Sequence, residues 1–146
     1  MTSDFTLPTL SQIEALLVFL PTFGQATKKH ATFRLPEHSL PWWELSTDAM
    51  AFIQALYHNE FVIGFDWVTW QEEGFRYIKS RKKVAQADLQ TICQLLTLHV
   101  RRNRFCDGHF AAQLKNGHMA AILHRLAHIA EDMRNQTATP SVPEAE

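Results

Sequence analysis

The residues that could do chemistry are concentrated in one stretch, Thr97 to His118, which reads TLHVRRNRFCDGHFAAQLKNGH. A thiol at Cys106 and an imidazole at His109 form the one nucleophile–base couple that sequence proximity suggests. Arg101, Arg102 and Arg104 stand beside it and would favour the thiolate. No third group that would orient the imidazole can be identified. A structural explanation accounts for more of the same residues. Cys106 is a buried turn residue, the Asp107 carboxylate caps the next helix, and Gly108 permits the tight turn. No residue is therefore assigned a catalytic role. If the stretch binds anything, the residues that carry the binding are His99, Arg101, Arg104, Cys106, Asp107 and His109.

Zinc ligation is the second chemistry to weigh. Cys106 and His109 have C-x2-H spacing, and His124 and His128 have H-x3-H spacing; together they imitate a four-ligand set. On a helix, however, His124 and His128 point away from Met119, Ile122, Leu123 and Leu126, so they are expected in solvent. No metal and no cofactor is assigned. Glu72 and Glu73 diverge by about 100° on a helix and make no natural acid–base pair. The glycines are isolated, with no phosphate-cradling loop.

Two segments are basic: Lys79, Arg81, Lys82 and Lys83, then Arg101, Arg102 and Arg104. They flank one predicted helix and so lie about 25–30 Å apart at 1.5 Å per residue. The arginines complement a helix C-terminus, and the lysines read as a solvated connector. With a net charge of -1, the chain as a whole attracts neither nucleic acid nor an anionic membrane. The leading functional reading is a module without catalysis, accessory or regulatory, that acts through protein contacts. Trp42 and Trp43, in an otherwise polar loop, are suited to such contacts, and a homodimer is expected. The alternative is nucleic-acid or anion binding through residues 79–83 and 101–104.

Apolar spacing lays out the elements that would position these groups. Thr9 or Ser11, with Glu14 completing a capping box, starts a helix through Ile13, Leu16, Leu17 and Leu20 that Pro21 and Gly24 end. Gln25 to Leu45 is irregular, with a short extended piece at Ala31–Leu35. Ser46 or Thr47 caps a helix reaching His58. Asp66 caps another, with Trp67, Trp70, Gly74 and Ile78 on one face. Gly74 there implies close approach of a second helix. From Ala87 or Asp88 to Arg102, a helix carries Leu89, Ile92, Cys93, Leu96 and Val100, with His99 on the margin. A short helix spans His109–Leu114, and a last one His118–Arg134.

Five to six amphipathic helices make an all-α bundle of one domain, residues 1–134, with 1–9 an arm and 135–146 a disordered tail. A minor strand pair between Ala31–Leu35 and Phe61–Ile63 is compatible with this. Cys93 and Cys106 form no disulfide framework. No signal peptide and no membrane-spanning run is visible, so a cytoplasmic protein is expected.

Phe65-Asp66-Trp67 with Trp70, Asp88-Leu89, and Arg104-Phe105-Cys106-Asp107-Gly108-His109 with Gly117 and Ile122-Leu123 resemble a bacterial family, domain of unknown function 6508. The resemblance runs from about Leu10 to Ile129 and is weakest across 25–45. It implies a bacterial origin and supports this segmentation, but it brings no reaction, cofactor or substrate. It also implies that Asp66, Trp67, Trp70, Phe105 and Gly108 form a structural motif. Trp67 and Trp70 would pack with Phe105 over the exit of the long helix, and Arg104 would bond Asp66, Asp107 or helix carbonyls.

Overall fold

The computed structural model describes residues 6–24 and 29–138. The outer part of the expected arm, Lys28 and the tail from 139 onward lie outside the described residues. The fold is predominantly helical, with eight helices and one two-stranded antiparallel sheet among the described residues. In order these are α1 (Leu10–Leu17), α2 (Leu20–Phe23), β1 (Ala31–Arg34), β2 (Trp42–Leu45), α3 (Thr47–His58), α4 (Trp67–Ile78), α5 (Arg81–Ala85), α6 (Leu89–Asn103), α7 (His109–Lys115) and α8 (His118–Ala138).

The helix starts follow side-chain caps. Thr9 caps α1 in a reciprocal box with Gln12, which leaves Glu14 to pair with Arg134 of α8 at 2.8 Å. Ser46, Asp66 and Asp88 accept from Ala49, Thr69 and Thr91 at the starts of α3, α4 and α6. Two short helices depart from the sequence expectation. Pro21 does not terminate α1; it sits in the first turn of α2, where a missing N–H is harmless. The basic connector after α4 is also helical, because Ser80 caps α5. The last helix continues past Arg134 to Ala138.

The sheet pairs other strands than expected. Ala31 faces Leu45 and Arg34 faces Trp42, so Trp42 and Trp43 belong to a hairpin strand and not to a loop. Phe61–Ile63 pairs with no strand. Its backbone is met by the buried hydroxyl of Thr97, which accepts from Ile63 N–H at 2.9 Å and donates to Phe61 C=O at 3.3 Å.

The centre of the fold is α6. Leu95, Leu96, Thr97, Leu98, His99 and Val100 are all buried, so this helix is covered around its circumference and not only along one stripe. On one flank it packs against α4, and on others against α7 and α8. At the α4 contact a side chain at Gly74 would put its Cβ 2.5 Å from Leu98 Cδ2 and 2.8 Å from the Trp70 ring. A side chain there would force Leu98 of α6 or Trp70 to shift, so the close approach of α6 favours glycine. The long α8 packs in turn against α1, α2, α5 and α7, and Met119, Ile122, Leu123, Leu126 and Ala130 face inward.

Thr97→Val keeps the shape of the side chain and removes both bonds to the 61–63 backbone, leaving a buried N–H and C=O unmet. We expect a loss of about 1–3 kcal/mol in urea unfolding monitored by circular dichroism. An unchanged midpoint would show that water or a shifted backbone replaces the hydroxyl.

Candidate functional site

The turn between α6 and α7 carries most of the residues singled out above, and it works in two directions. Toward the core it presents imidazoles. His99 lies on the buried face of α6, His109 opens α7, and His118 opens α8. His99 Nδ1 is 3.0 Å from His109 Nε2, and His99 Nε2 is 2.9 Å from His118 Nε2. The three rings form a chain, with His99 in the middle using both of its nitrogens.

Counting protons constrains the direction of that chain. A neutral imidazole has one N–H, so His99 donates at one nitrogen and accepts at the other. The outer nitrogen of His118, Nδ1, is buried and has no hydrogen-bond partner among the described residues. A buried N–H without an acceptor is rarer and costlier than a bare lone pair. The arrangement that avoids this loss puts the His118 proton on Nε2, donated to His99. In that arrangement His99 donates from Nδ1 to His109 Nε2, and His109 carries its own proton on Nδ1, at the partly buried end.

All three rings are held neutral. Burial pushes His99 well below the ordinary imidazole range, and charge on His118 and His109 would push it further. His109 falls to about 4, first through burial and then through the Arg102 guanidinium. His118 falls to about 4 through burial, then Arg81, then His109. Each arginine is itself fixed. Arg102 donates to Gln71 Oε1 at 2.8 Å and lies 4.9 Å over the Phe75 ring, which in turn packs on His109. Arg81 donates to the carbonyl of Asn116 at the end of α7. The two basic segments were expected at opposite ends of one helix. Arg81 departs from that, because its side chain crosses to the α7–α8 corner beside His118.

The other side of the turn faces the hairpin. Asp107 does not cap α7; its carboxylate accepts from Trp43 N–H at 2.9 Å. The capping is done by Asn103, whose Oδ1 accepts from Phe110 N–H at 2.9 Å. Gly108 has φ +89, and a Cβ there would lie 2.6 Å from Trp43 Cδ1, so only glycine suits both the turn and the tryptophan. Between the hairpin and the α7–α8 corner lies a cavity of about 820 Å³.

The remaining candidates are placed as follows. No side-chain hydrogen bond joins Cys106 to His109 among the described residues, and His109 Nε2 meets His99 instead. Arg101 lies 6.0 Å from the centre of the Tyr57 ring. Arg104 is exposed and makes no side-chain bond to Asp66 or Asp107. Asp66 bonds Thr69 instead, at 2.7 Å through the hydroxyl, and this bond, with the Thr69 N–H, keeps its carboxyl below the usual range. Phe105 stacks on Trp67 at 6.1 Å, whereas Trp70 packs with Phe65 and Tyr77. His124 and His128 are exposed on α8. Cys93 is a core residue whose thiol burial pushes up to about 12, with Asp88 adding to the shift. Among the described residues no group of three or more His, Cys, Asp or Glu side chains is placed to hold a metal ion. The histidine chain does not qualify, because His99 meets its two neighbours through different nitrogens.

Sequence reasoning did not place His118 or Arg81 at this site. For His118 a signal existed, since it shares the i, i+4, i+8 row of the buried Ile122 and Leu126. For Arg81 there was none, as its partner is 35 residues away.

A family model described as a family of unknown function, DUF6508, matches residues 8–132. The chain belongs to this family. No curated protein and no solved structure matches it.

The chain of neutral imidazoles makes stability depend on pH with a definite sign. The folded values lie below the unfolded value of 6.5, at about 4 for His109 and His118. Between these limits the unfolded chain binds protons that the native one refuses. Stability should thus be full above pH 6.5 and fall on acidification toward pH 4, by up to about 1.4 kcal/mol per pH unit for a buried histidine held neutral and by less for the partly exposed His109. Urea midpoints measured from pH 7.5 to 4.5 check this. A flat profile would mean that the rings are charged or solvated in the native protein.

Proposed function

We propose that this protein works without catalysis, as an accessory or regulatory module acting by protein contact, and that its contact element is the β1–β2 hairpin. One observation carries this reading. Phe33, Leu35, Leu40, Trp42 and Trp43 are each 37–85% exposed, and all lie on the hairpin or its loop. Apolar side chains grouped in this way on a projecting element mark interaction surfaces. The strand edges point the same way. The Trp43 N–H on the outer edge of β2 is taken by Asp107, while among the described residues β1 has no strand on its other side. An open edge of this kind is a template for another strand.

The partner that fits best is a second copy. Two β1 edges related by a two-fold axis would pair antiparallel and cover Phe33 and Leu35 from both sides. The setting proposed for this role is the bacterial cytoplasm, in keeping with the two free thiols, Cys93 and Cys106. Nucleic-acid binding is less well supported by the geometry. Arg81, Lys83, Arg101 and Arg102 are each engaged within the chain, Lys83 with Glu73 and the Tyr77 ring.

Light scattering coupled to size exclusion tests the reading. We expect a dimer at high micromolar concentration and a monomer for Phe33→Glu, with unchanged circular dichroism. A native protein that is monomeric throughout would remove self-association. Saturable binding to a labelled DNA or RNA duplex, weakened by salt and by changing Arg101 and Arg104 to Ala, would replace protein contact with the nucleic-acid reading.

A further inference from the structure

The cavity between the hairpin and the α7–α8 corner has a chemistry of its own. Its volume, about 820 Å³, lies within the roughly 300–1,000 Å³ of small-molecule sites. Phe23 and Trp43 supply aromatic walls, and Ala112 and Ala120 supply smooth ones from α7 and α8. Among the described residues, three charged ones also line it: Lys29, Lys115 and Asp107. Asp107 already has a fixed task, accepting from Trp43 N–H. Lys29 and Lys115 are exposed and form no ion pair among the described residues.

We propose that this cavity is a binding site for a small, flat, apolar monocarboxylate. Its aromatic body lies along the alanines between Phe23 and Trp43, and its carboxylate meets Lys29 and Lys115. Each part of that description follows from a wall. Alanine faces have no projecting side chains, so a planar body contacts them along its length. Two lysines outweigh one aspartate, so an anion is favoured over a cation. Asp107 at the same site repels a second negative charge, so a carboxylate fits better than a phosphate dianion. Lysine ammoniums are point charges without the fork that grips phosphate in two bonds. The pose of Trp43 is set by the Asp107 bond and by the absence of a side chain at Gly108. That wall therefore stands ready before any ligand arrives, which limits the ordering that binding requires. This inference does not depend on self-association of the hairpin.

The test titrates the native full-length protein with 1-anilinonaphthalene-8-sulfonate, a fluorescent aromatic monoanion, and displaces it with indole-3-acetate, octanoate and the neutral indole-3-ethanol. The expected result is saturable one-to-one binding, with indole-3-acetate displacing the dye at least about tenfold better than the alcohol. Ala112→Phe, at an exposed helical position, should fill the cavity and abolish binding. Lys115→Glu should weaken binding about tenfold with near-ultraviolet circular dichroism unchanged, and it keeps the test open if Ala112→Phe fails to fold. Absence of saturable binding, or binding indifferent to both substitutions, overturns the site. Equal displacement by the alcohol overturns the carboxylate assignment, and stronger displacement by octanoate overturns the planar one.

Discussion

A helix that is buried on every side has nowhere to hide a polar residue, and α6 is such a helix. Its buried run from Leu95 to Val100 contains Thr97 and His99. Each must find partners inside the protein or leave polar groups unmet at a loss of about 1–3 kcal/mol apiece. Two positions apart on a helix is a rotation of about 200°, so the two residues address opposite flanks. Thr97 fixes the 61–63 segment, and His99 fixes α7 and α8. Polar bonds thus set where neighbouring elements meet α6, while the apolar contacts supply the bulk of the attraction.

The α6–α7 turn is where this internal constraint meets the surface. Gly108 adopts a positive φ, and Asn103 takes over the capping of α7. That division of labour releases Asp107 to reach the hairpin and delivers His109 to His99. Without Asn103 in the capping role, one carboxylate would have to satisfy either the helix or the strand. The hairpin is a two-stranded sheet, which is marginal when isolated. It is held to the helices by the Trp43–Asp107 bond and by Trp43 lying on Gly108, and within the hairpin the Phe33 ring packs at a tilt against Trp43.

Much of the helical layout was legible because it rests on local information. The stripes of α3, α6 and α8 and the caps at Ser46, Asp66 and Asp88 follow from spacing within a few residues. The short helices α2 and α5 carry too few positions to show a period. The hairpin was hidden for a different reason: Trp42 and Trp43 directly follow a proline, Pro41, and nothing near them announces Ala31–Arg34 as their partner. In the site, His99 and His109 were legible as a pair to examine. The third ring was not, although His118 lies in register with Ile122 and Leu126. A histidine at the first turn of a helix reads as a solvated end unless the row behind it is noticed. The target of Asp107 lies 64 residues away, beyond any spacing argument, and capping was the default because aspartate before a helix usually does it.

The two basic segments change meaning most. As sequence they look like outward patches, available to an anionic partner. In the structure, Arg81 and Arg102 stand at the two ends of one imidazole chain, and each lowers the proton affinity of the ring it faces. A neutral imidazole keeps one donor and one acceptor; a charged one has two donors. If His99 gained a proton, it would lose its acceptor and its bond to His118. Burial and the neighbouring rings of His118 and His109 oppose that outcome at His99, while the arginines act on the two outer rings and are held there by Asn116 and Gln71. The cations that first suggested binding of something external thus help keep the two outer rings of the chain neutral, as its hydrogen bonds require.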